Sequence, residues 1–285
     1  MFRPLSTRLV LPILVTLVSL APLGPGLASA NPIPATWTYA RSGAPVVGRN
    51  GIVTSASATA SRVGTRILEQ GGNAFDAAVA VHFALAVAFP EAGNLGGGGF
   101  WVLREASGSM WCLDARETAP HGASRDMFLD ARGQATDRSV SGGLAVGVPG
   151  SVRGCWEVHR RLGSLPWARC LAPAIELARN GLVVDTGLAT SFRRCAALLA
   201  RRPATRNVFQ PQGKPLVEGD RLVQADLART IEAIATQGPD AFHLGPIARA
   251  IASTIQAEGG ILDEQDLANY QAIWRKPLHF SYRGL

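Results

Sequence analysis

The residues best placed to do chemistry lie in two short stretches, "NLGGGGF" (Asn94 to Phe100) and "DARETAP" (Asp114 to Pro120). The glycines Gly96 to Gly99 follow an apolar run, "AAVAVHFALAVAF". A phosphate loop would need G-x-x-x-x-G-K-[ST], and no Lys-Ser or Lys-Thr pair follows them. A dinucleotide fingerprint needs a strand before the glycines and a helix after. Here the order is helix, then strand, which disfavours a nucleotide-binding domain. The flanks are the most apolar parts of the chain, so a flexible linker fits poorly as well. Glycine in a strand marks close approach of another backbone or a ligand, so the tetrad is expected to let a buried helix press onto a core sheet. In the second stretch, Arg116 and Glu117 close a strand just before a proline turn, where scaffolds present side chains to ligands. A guanidinium there can fork onto a carboxylate. Spacing alone favours the plainer alternative, a surface arginine paired with Glu117 or Asp114.

The remaining reactive side chains read as structural. His82, inside the apolar run, is expected to be a packed core histidine. Cys112, Cys155, Cys170 and Cys195 form no C-x-x-C and have no histidine at metal-ligand spacing, so no metal site is expected. Disulfides and buried free thiols both remain compatible with the sequence.

The elements that position these residues come from a chain of 285 residues, 47% hydrophobic and 17% charged, which suits a packed core and argues against disorder. The formal charge is +7, nearly all from arginine, since Lys214 and Lys276 are the only lysines. The densest basic cluster, Arg193 to Arg206, has helical apolar spacing and few aromatics, and reads as a solvated helix face rather than a nucleic-acid surface. "MFRPLSTR", an apolar stretch broken by Pro12, and "GLASA" read as a signal peptide over 1–30, cleaved after Ala30. That predicts a periplasmic or secreted protein with no membrane span after cleavage. Residues 31–50 read as a mature N-terminal arm.

From Gly51 the chain begins as a strand and turns helical through Ala60, Val63, Ile67 and Leu68, ending at Gly71-Gly72. Asn73 caps a second helix, with Asp76 in its first turn, and Pro90 closes it. That helix is apolar on every side and should be buried. Two strands around Ser107 to Ser109 follow, then a loop-rich stretch with a turn at "DARG". A helix starts at Pro149-Gly150-Ser151 and another closes at Asn180-Gly181. Further helices are expected near Ala189–Arg202, Leu222–Thr236 and Ile247–Glu258, then a short one capped by Asp263, and a strand beginning in "KPLHFSYRGL". The pattern is a strand-bearing, glycine-rich first half and a helical second half.

Taken together, "GGNAFDAAVA", "GNLGGGGF", "RETAP", "SRDMFLD", "GVPGSVRG", "PAIELARNGLVV" and "EGGILDEQDLANYQAIWRKPLHFSYRG" resemble the large subunit of the gamma-glutamyltransferase family, over nearly all of Gly51 to Gly284. The resemblance implies an α+β fold, the four-layer αββα sandwich of N-terminal nucleophile hydrolases, with residues 51–285 forming part of the large-subunit domain. It implies a self-cleaving precursor whose small subunit starts with a threonine. That threonine attacks a gamma-glutamyl amide, its own amino group acting as base. Glutathione or a related gamma-glutamyl compound is the donor; water, an amino acid or a dipeptide is the acceptor. No cofactor is implied. Arg116 matches the family arginine that binds the donor's alpha-carboxylate, which reverses the plainer reading of it, and Glu117 is expected to orient it. The threonine is expected beyond Leu285, leaving the chain alone inactive and prone to aggregate. The sequence departs from the family's usual aromatic at His243. A side-chain acylase for beta-lactams, and a structural remnant without activity, are the alternatives.

Overall fold

Helix formation begins where Ser57 supplies a cap: its hydroxyl accepts from the Ala60 N–H at the head of α1 (Ala58–Glu69). The computed structural model describes residues 46–283. The predicted signal peptide and residues 31–45 of the predicted arm lie outside these, and the unit described here starts at Gly48. The strand expected to open at Gly51 is not one. Residues 51–57 form no ladder among the described residues, and an extended segment becomes a strand only beside a partner. Ala60, Val63 and Ile67 face inward, and Gly64 lets α1 close onto α2 (Ala74–Ala88): a Cβ there would lie 2.6 Å from Val81.

Asn73 caps α2 as its sequence predicts, in a reciprocal capping box with Asp76. Val79, Phe83, Ala84 and Val87 are fully buried, so the all-round apolar composition reflects a central helix. Asp76 does more than favour the helix N-terminus. It is completely buried and accepts from the Asn73 N–H, the Ser164 N–H and hydroxyl, and the Leu165 N–H. One carboxylate thereby ties the start of α2 to the turn between α3 (Ser151–Leu162) and α4 (Trp167–Asn180).

Between α2 and α3 run the hairpin strands β1 (Gly99–Arg104) and β2 (Met110–Ala115), antiparallel with Phe100 opposite Asp114 and Val102 opposite Cys112. A loop-rich segment follows, with the predicted turn at Asp130–Gly133 and two isolated antiparallel bridges, Thr118 with Val148 and Leu129 with Ala135. After α4 come β3 (Leu182–Val183), α5 (Thr186–Arg194), α6 (Ala196–Leu199) and α7 (Pro203–Phe209). The single helix expected near 189–202 is therefore two short ones followed by a third. Cys195 sits outside helical geometry between the first two, and Pro203, with no N–H to give, starts the third. Next are β4 (Arg221–Leu222), which pairs with β3, and α8 (Ala225–Gln237), so Leu222 belongs to a strand and not to the helix predicted there. The last elements are α9 (Asp240–His243), α10 (Gly245–Ala257), α11 (Glu264–Asn269, capped by Asp263) and β5 (Ile273–Arg275). The closing strand thus lies just upstream of the predicted "KPLHFSYRGL", where β2 is available as its partner.

The three-stranded sheet has the order β1-β2-β5. Leu103 and Leu113 are buried with α2, α3 and α4 in one core, with Trp101, Trp111 and Trp274 packed against it. Gly154 lets α3 lie directly on β2, where a Cβ would come within 2.5 Å of the Ala115 Cβ. The opposite parity is bare: Phe100, Val102 and Ile273 are all exposed.

Candidate functional site

Arg116 follows the last residue of β2, and four contacts hold it there. Its N–H donates to Asp114 Oδ1 at 3.2 Å. Its carbonyl accepts from the Tyr270 hydroxyl at 2.9 Å. Its Nε donates to Glu117 Oε2 at 3.0 Å, and its guanidinium carbon lies 5.7 Å from the centre of the Phe100 ring. Among the described residues neither terminal nitrogen of Arg116 has a hydrogen-bond partner, and the side chain is 58% exposed. The guanidinium is gripped at one nitrogen, with the fork that suits a carboxylate left open.

The surroundings explain how this is built. Asp114 accepts from Arg275 Nε at 2.8 Å, which with the Arg116 N–H holds its carboxyl below the usual range. Of the two partners the sequence offered Arg116, Glu117 takes its guanidinium and Asp114 its backbone. Tyr270 reaches the Arg116 carbonyl from beyond α11, over Gly150, where any Cβ would lie 2.1 Å from the tyrosine oxygen. Burial, with the charges of Asp114 and Glu117, pushes the Tyr270 phenol up to about 12, so it stays a donor. His243 stacks on Tyr270 at 5.8 Å and is fully buried, Nδ1 meeting the Leu267 carbonyl at 3.1 Å. Nothing at the sequence level pointed to Tyr270, because its partner lies 154 residues away.

The glycine tetrad also serves this corner. Gly97 accepts from the Gly150 and Ser151 N–H groups at 2.8 and 2.9 Å. At Gly98 a Cβ would lie 2.5 Å from the Ala115 carbonyl and 2.7 Å from the Glu117 nitrogen, while Gly96 and Gly99 have open space. The close approach is therefore to the backbone around Arg116, and not of α2 onto the sheet as expected. Arg116 and Glu117 line a cavity of about 370 Å³ walled by Pro120, Met127, Phe128 and Val146. A larger cavity, about 900 Å³, lies between α5 and residues 211–221, on other elements than those that hold Arg116.

The family description Gamma-glutamyltranspeptidase matches residues 60–285. The chain belongs to the gamma-glutamyltranspeptidase family. It is 45% identical over 242 residues to the glutathione hydrolase proenzyme of Escherichia coli (strain K12), covering 84% of this chain and 42% of that one. It is 41% identical over 260 residues to the acylase ACY 1 proenzyme of Pseudomonas sp. (strain SE83), covering 89% of this chain and 47% of that one. The crystal structure of Helicobacter pylori gamma-glutamyltranspeptidase superposes with a TM-score of 0.82 at 40% identity, covering 85% of this chain and 70% of that one. The chain thus spans less than half the length of the curated relatives it matches. Its fold is α+β, of the N-terminal nucleophile hydrolase type of this gamma-glutamyltranspeptidase family.

Two clusters have the composition of metal sites. Asp76, His159 and Cys170 bring ligand atoms within 4.8 Å of one another. There His159 Nε2 faces the Leu165 carbonyl at 2.8 Å, which can only accept, so that nitrogen carries the proton, and the Asp76 oxygens are already shared among several donors. His121, Asp263 and Asp266 form the other, more exposed cluster; Asp266 Oδ1 accepts from the His121 N–H at 2.8 Å and faces its ring Nδ1 at 3.0 Å. Both clusters are accounted for by hydrogen bonds. All four cysteines are free thiols; burial raises Cys155, and burial with the neighbouring Asp76 raises Cys170 to about 12, so both are inert.

Proposed function

We propose that this chain is the substrate-clamping part of a gamma-glutamyltransferase. It acts with a threonine-led small subunit from the same precursor, encoded beyond Leu285. The observation that carries the reading is the open fork of Arg116, held at Nε by Glu117 on a chain of this family. Its two terminal nitrogens take the alpha-carboxylate of a gamma-glutamyl donor such as glutathione, and Glu117 fixes the angle at which they are offered. With the carboxylate fixed, the gamma-amide is placed for attack by the threonine. Acyl transfer to that hydroxyl releases the amine or thiol-bearing peptide as leaving group. Water or the amine of an amino acid or dipeptide then resolves the acyl-enzyme.

Residues 1–30 are proposed as an export signal and 31–50 as an arm, placing the mature protein in the periplasm or outside the cell. Among the described residues no helix is long and apolar enough to cross a membrane. The match to an acylase proenzyme supports a second reading, in which the same clamp serves a side-chain acylase. Release of p-nitroaniline from gamma-glutamyl-p-nitroanilide tests the first reading. The 285-residue chain is compared with the protein extended through the reading frame that follows. Turnover by the extended protein alone supports the proposal. Turnover by the short chain refutes the placement of the nucleophile, and no turnover by either leaves the acylase or the remnant reading.

A further inference from the structure

From Thr186 to Val217 the chain carries Arg193, Arg194, Arg201, Arg202, Arg206 and Lys214 and no Asp or Glu, although the whole sequence holds 21 acidic residues. This stretch forms one corner. The Phe192 and Phe209 rings meet at 5.3 Å, Gln210 Nε2 donates to the Ala196 carbonyl at 2.6 Å, and the Leu216 N–H donates to the Phe209 carbonyl at 3.2 Å. Two of the six cations fasten it to the body, Arg194 to Glu91 at 3.3 Å and Arg202 to Glu258. Arg193, Arg201, Arg206 and Lys214 are exposed and have no carboxylate partner among the described residues. The cavity of about 900 Å³ opens in this corner, with Arg193 and Lys214 in its lining and Ala189, Pro215 and Leu216 as apolar wall. Its third cation, Arg221, is engaged by the Asn180 and Gly181 carbonyls at 3.2 and 3.1 Å. Its two carboxylates are engaged as well: Glu218 accepts from the Thr186 hydroxyl at 2.9 Å and Asp220 from the Val217 N–H at 2.8 Å.

A solvated helix face interleaves both signs, because like charges side by side repel. Four unpaired cations with no acid among them are relieved by an anionic partner. The form of that partner follows from the rest of the corner. No aromatic ring is free to stack a base, since Phe192 is buried and packs on Phe209. Only Arg193 and Lys214 line the cavity, while Arg201 and Arg206 lie outside it, which suits a surface of many anions better than one acidic chain in a groove. Leu198 and Val217, 57% and 60% exposed, stand in the same stretch, and apolar points among cations are what interfacial binding uses. We propose that this corner docks on an anionic phospholipid surface, with a phosphodiester headgroup seated in the cavity on Arg193 and Lys214. A guanidinium forks onto a phosphate and an ammonium adds a point charge. Arg201 and Arg206 meet neighbouring headgroups. Each cation near such a surface raises partitioning about fivefold, so the four together give reversible docking without a spanning helix. The docking is independent of the transferase reading, since Arg116 is held on other elements than this cavity.

Co-sedimentation of the full-length protein with vesicles tests this. Binding is expected to phosphatidylcholine vesicles that contain phosphatidylglycerol, not to phosphatidylcholine alone, and should weaken as salt screens the charges. Arg201→Gln and Arg206→Gln should each lower the partition coefficient about fivefold, and Arg193→Gln with Lys214→Gln together about 25-fold. Arg66→Gln, at an exposed arginine of α1 outside any ion pair, removes the same charge elsewhere and should leave the coefficient within about twofold of the parent. All the substituted residues are exposed, and an unchanged melting temperature checks the fold. Free glycerol phosphate should compete only weakly, since it engages the cavity pair alone. Equal binding to neutral vesicles, an equal loss in Arg66→Gln, or no loss when all four cations are exchanged overturns the site. Full displacement by glycerol phosphate assigns the cavity to a soluble phosphate ester, and tighter retention on duplex DNA at equal phosphate concentration assigns the corner to nucleic acid; either result overturns the bilayer as partner.

Discussion

Arg116 presents a permanent charge on a side chain anchored at a single nitrogen, so its exchange for lysine is not conservative. An ammonium is a point donor that cannot grip Glu117 and fork onto a carboxylate at once. Arg116→Lys and Arg116→Ala in the full-length protein are both expected to raise the donor KM by roughly ten- to a hundredfold, the loss of a charge-assisted pair worth about 1.5–3 kcal/mol. Steady-state kinetics on gamma-glutamyl-p-nitroanilide check this, and a donor KM within twofold of the parent in both variants (about 0.4 kcal/mol) removes Arg116 from the clamp. Tyr270→Phe tests the brace behind it: losing the hydroxyl that donates to the Arg116 carbonyl should cost about 1 kcal/mol of stability and loosen donor binding by a few-fold. The place of Arg116 at a strand end beside Glu117 was legible because the motif is local. Tyr270 was not, since its contact with the Arg116 carbonyl acts across the fold.

At the scale of elements, two polar groups inside apolar surroundings decide how the frame behaves. Asp76 joins the head of α2 to the α3–α4 turn through several donors, and the sequence revealed only its capping share of that task. Asp76→Asn keeps the shape but turns one acceptor into a donor facing N–H groups, and is expected to destabilise the full-length protein by about 3 kcal/mol. A urea midpoint close to the parent's would show that the carboxylate is not the tie. The second group is His243 in α9, fully buried against Tyr270 and facing Arg153 and Asp240. Burial and the Arg153 charge, opposed by the Leu267 carbonyl and Asp240, lower its pKa to about 4. The unfolded chain takes up this proton near pH 6.5 and the folded one only near 4. Stability is therefore full above pH 6.5 and falls as the pH drops through that window. His243→Phe should flatten the fall in melting temperature between pH 6.5 and 4, and an equally steep fall in the variant would assign it to other groups. Helix caps and breaks by proline were readable in this half of the chain. The short strand β4 was not, because it depends on β3, some forty residues earlier in the chain.

For the whole molecule, the sheet raises the question of what covers it. The helical side was legible as a continuous apolar helix before a hairpin, whereas the other face depends on what lies against it. Phe100 and Val102 on β1 are 61% and 72% exposed, Ile273 on β5 is 50% exposed, and no strand pairs with the outer edge of β1 among the described residues. An uncovered apolar sheet face beside an open edge is a site for association. We propose that the later part of the precursor covers this face in the full-length protein. One substitution separates that from a face built for water. Val102→Lys should lower self-association of the 285-residue chain on its own, because a charge replaces an apolar contact on an edge strand. The same change in the full-length protein should lower its stability by about 2 kcal/mol or more, since the lysine would then be buried without a partner. Sedimentation velocity at micromolar concentration reads the first effect and thermal melting the second. If the short chain is monomeric and melts cooperatively, and the lysine is harmless in both proteins, the face is a solvent face.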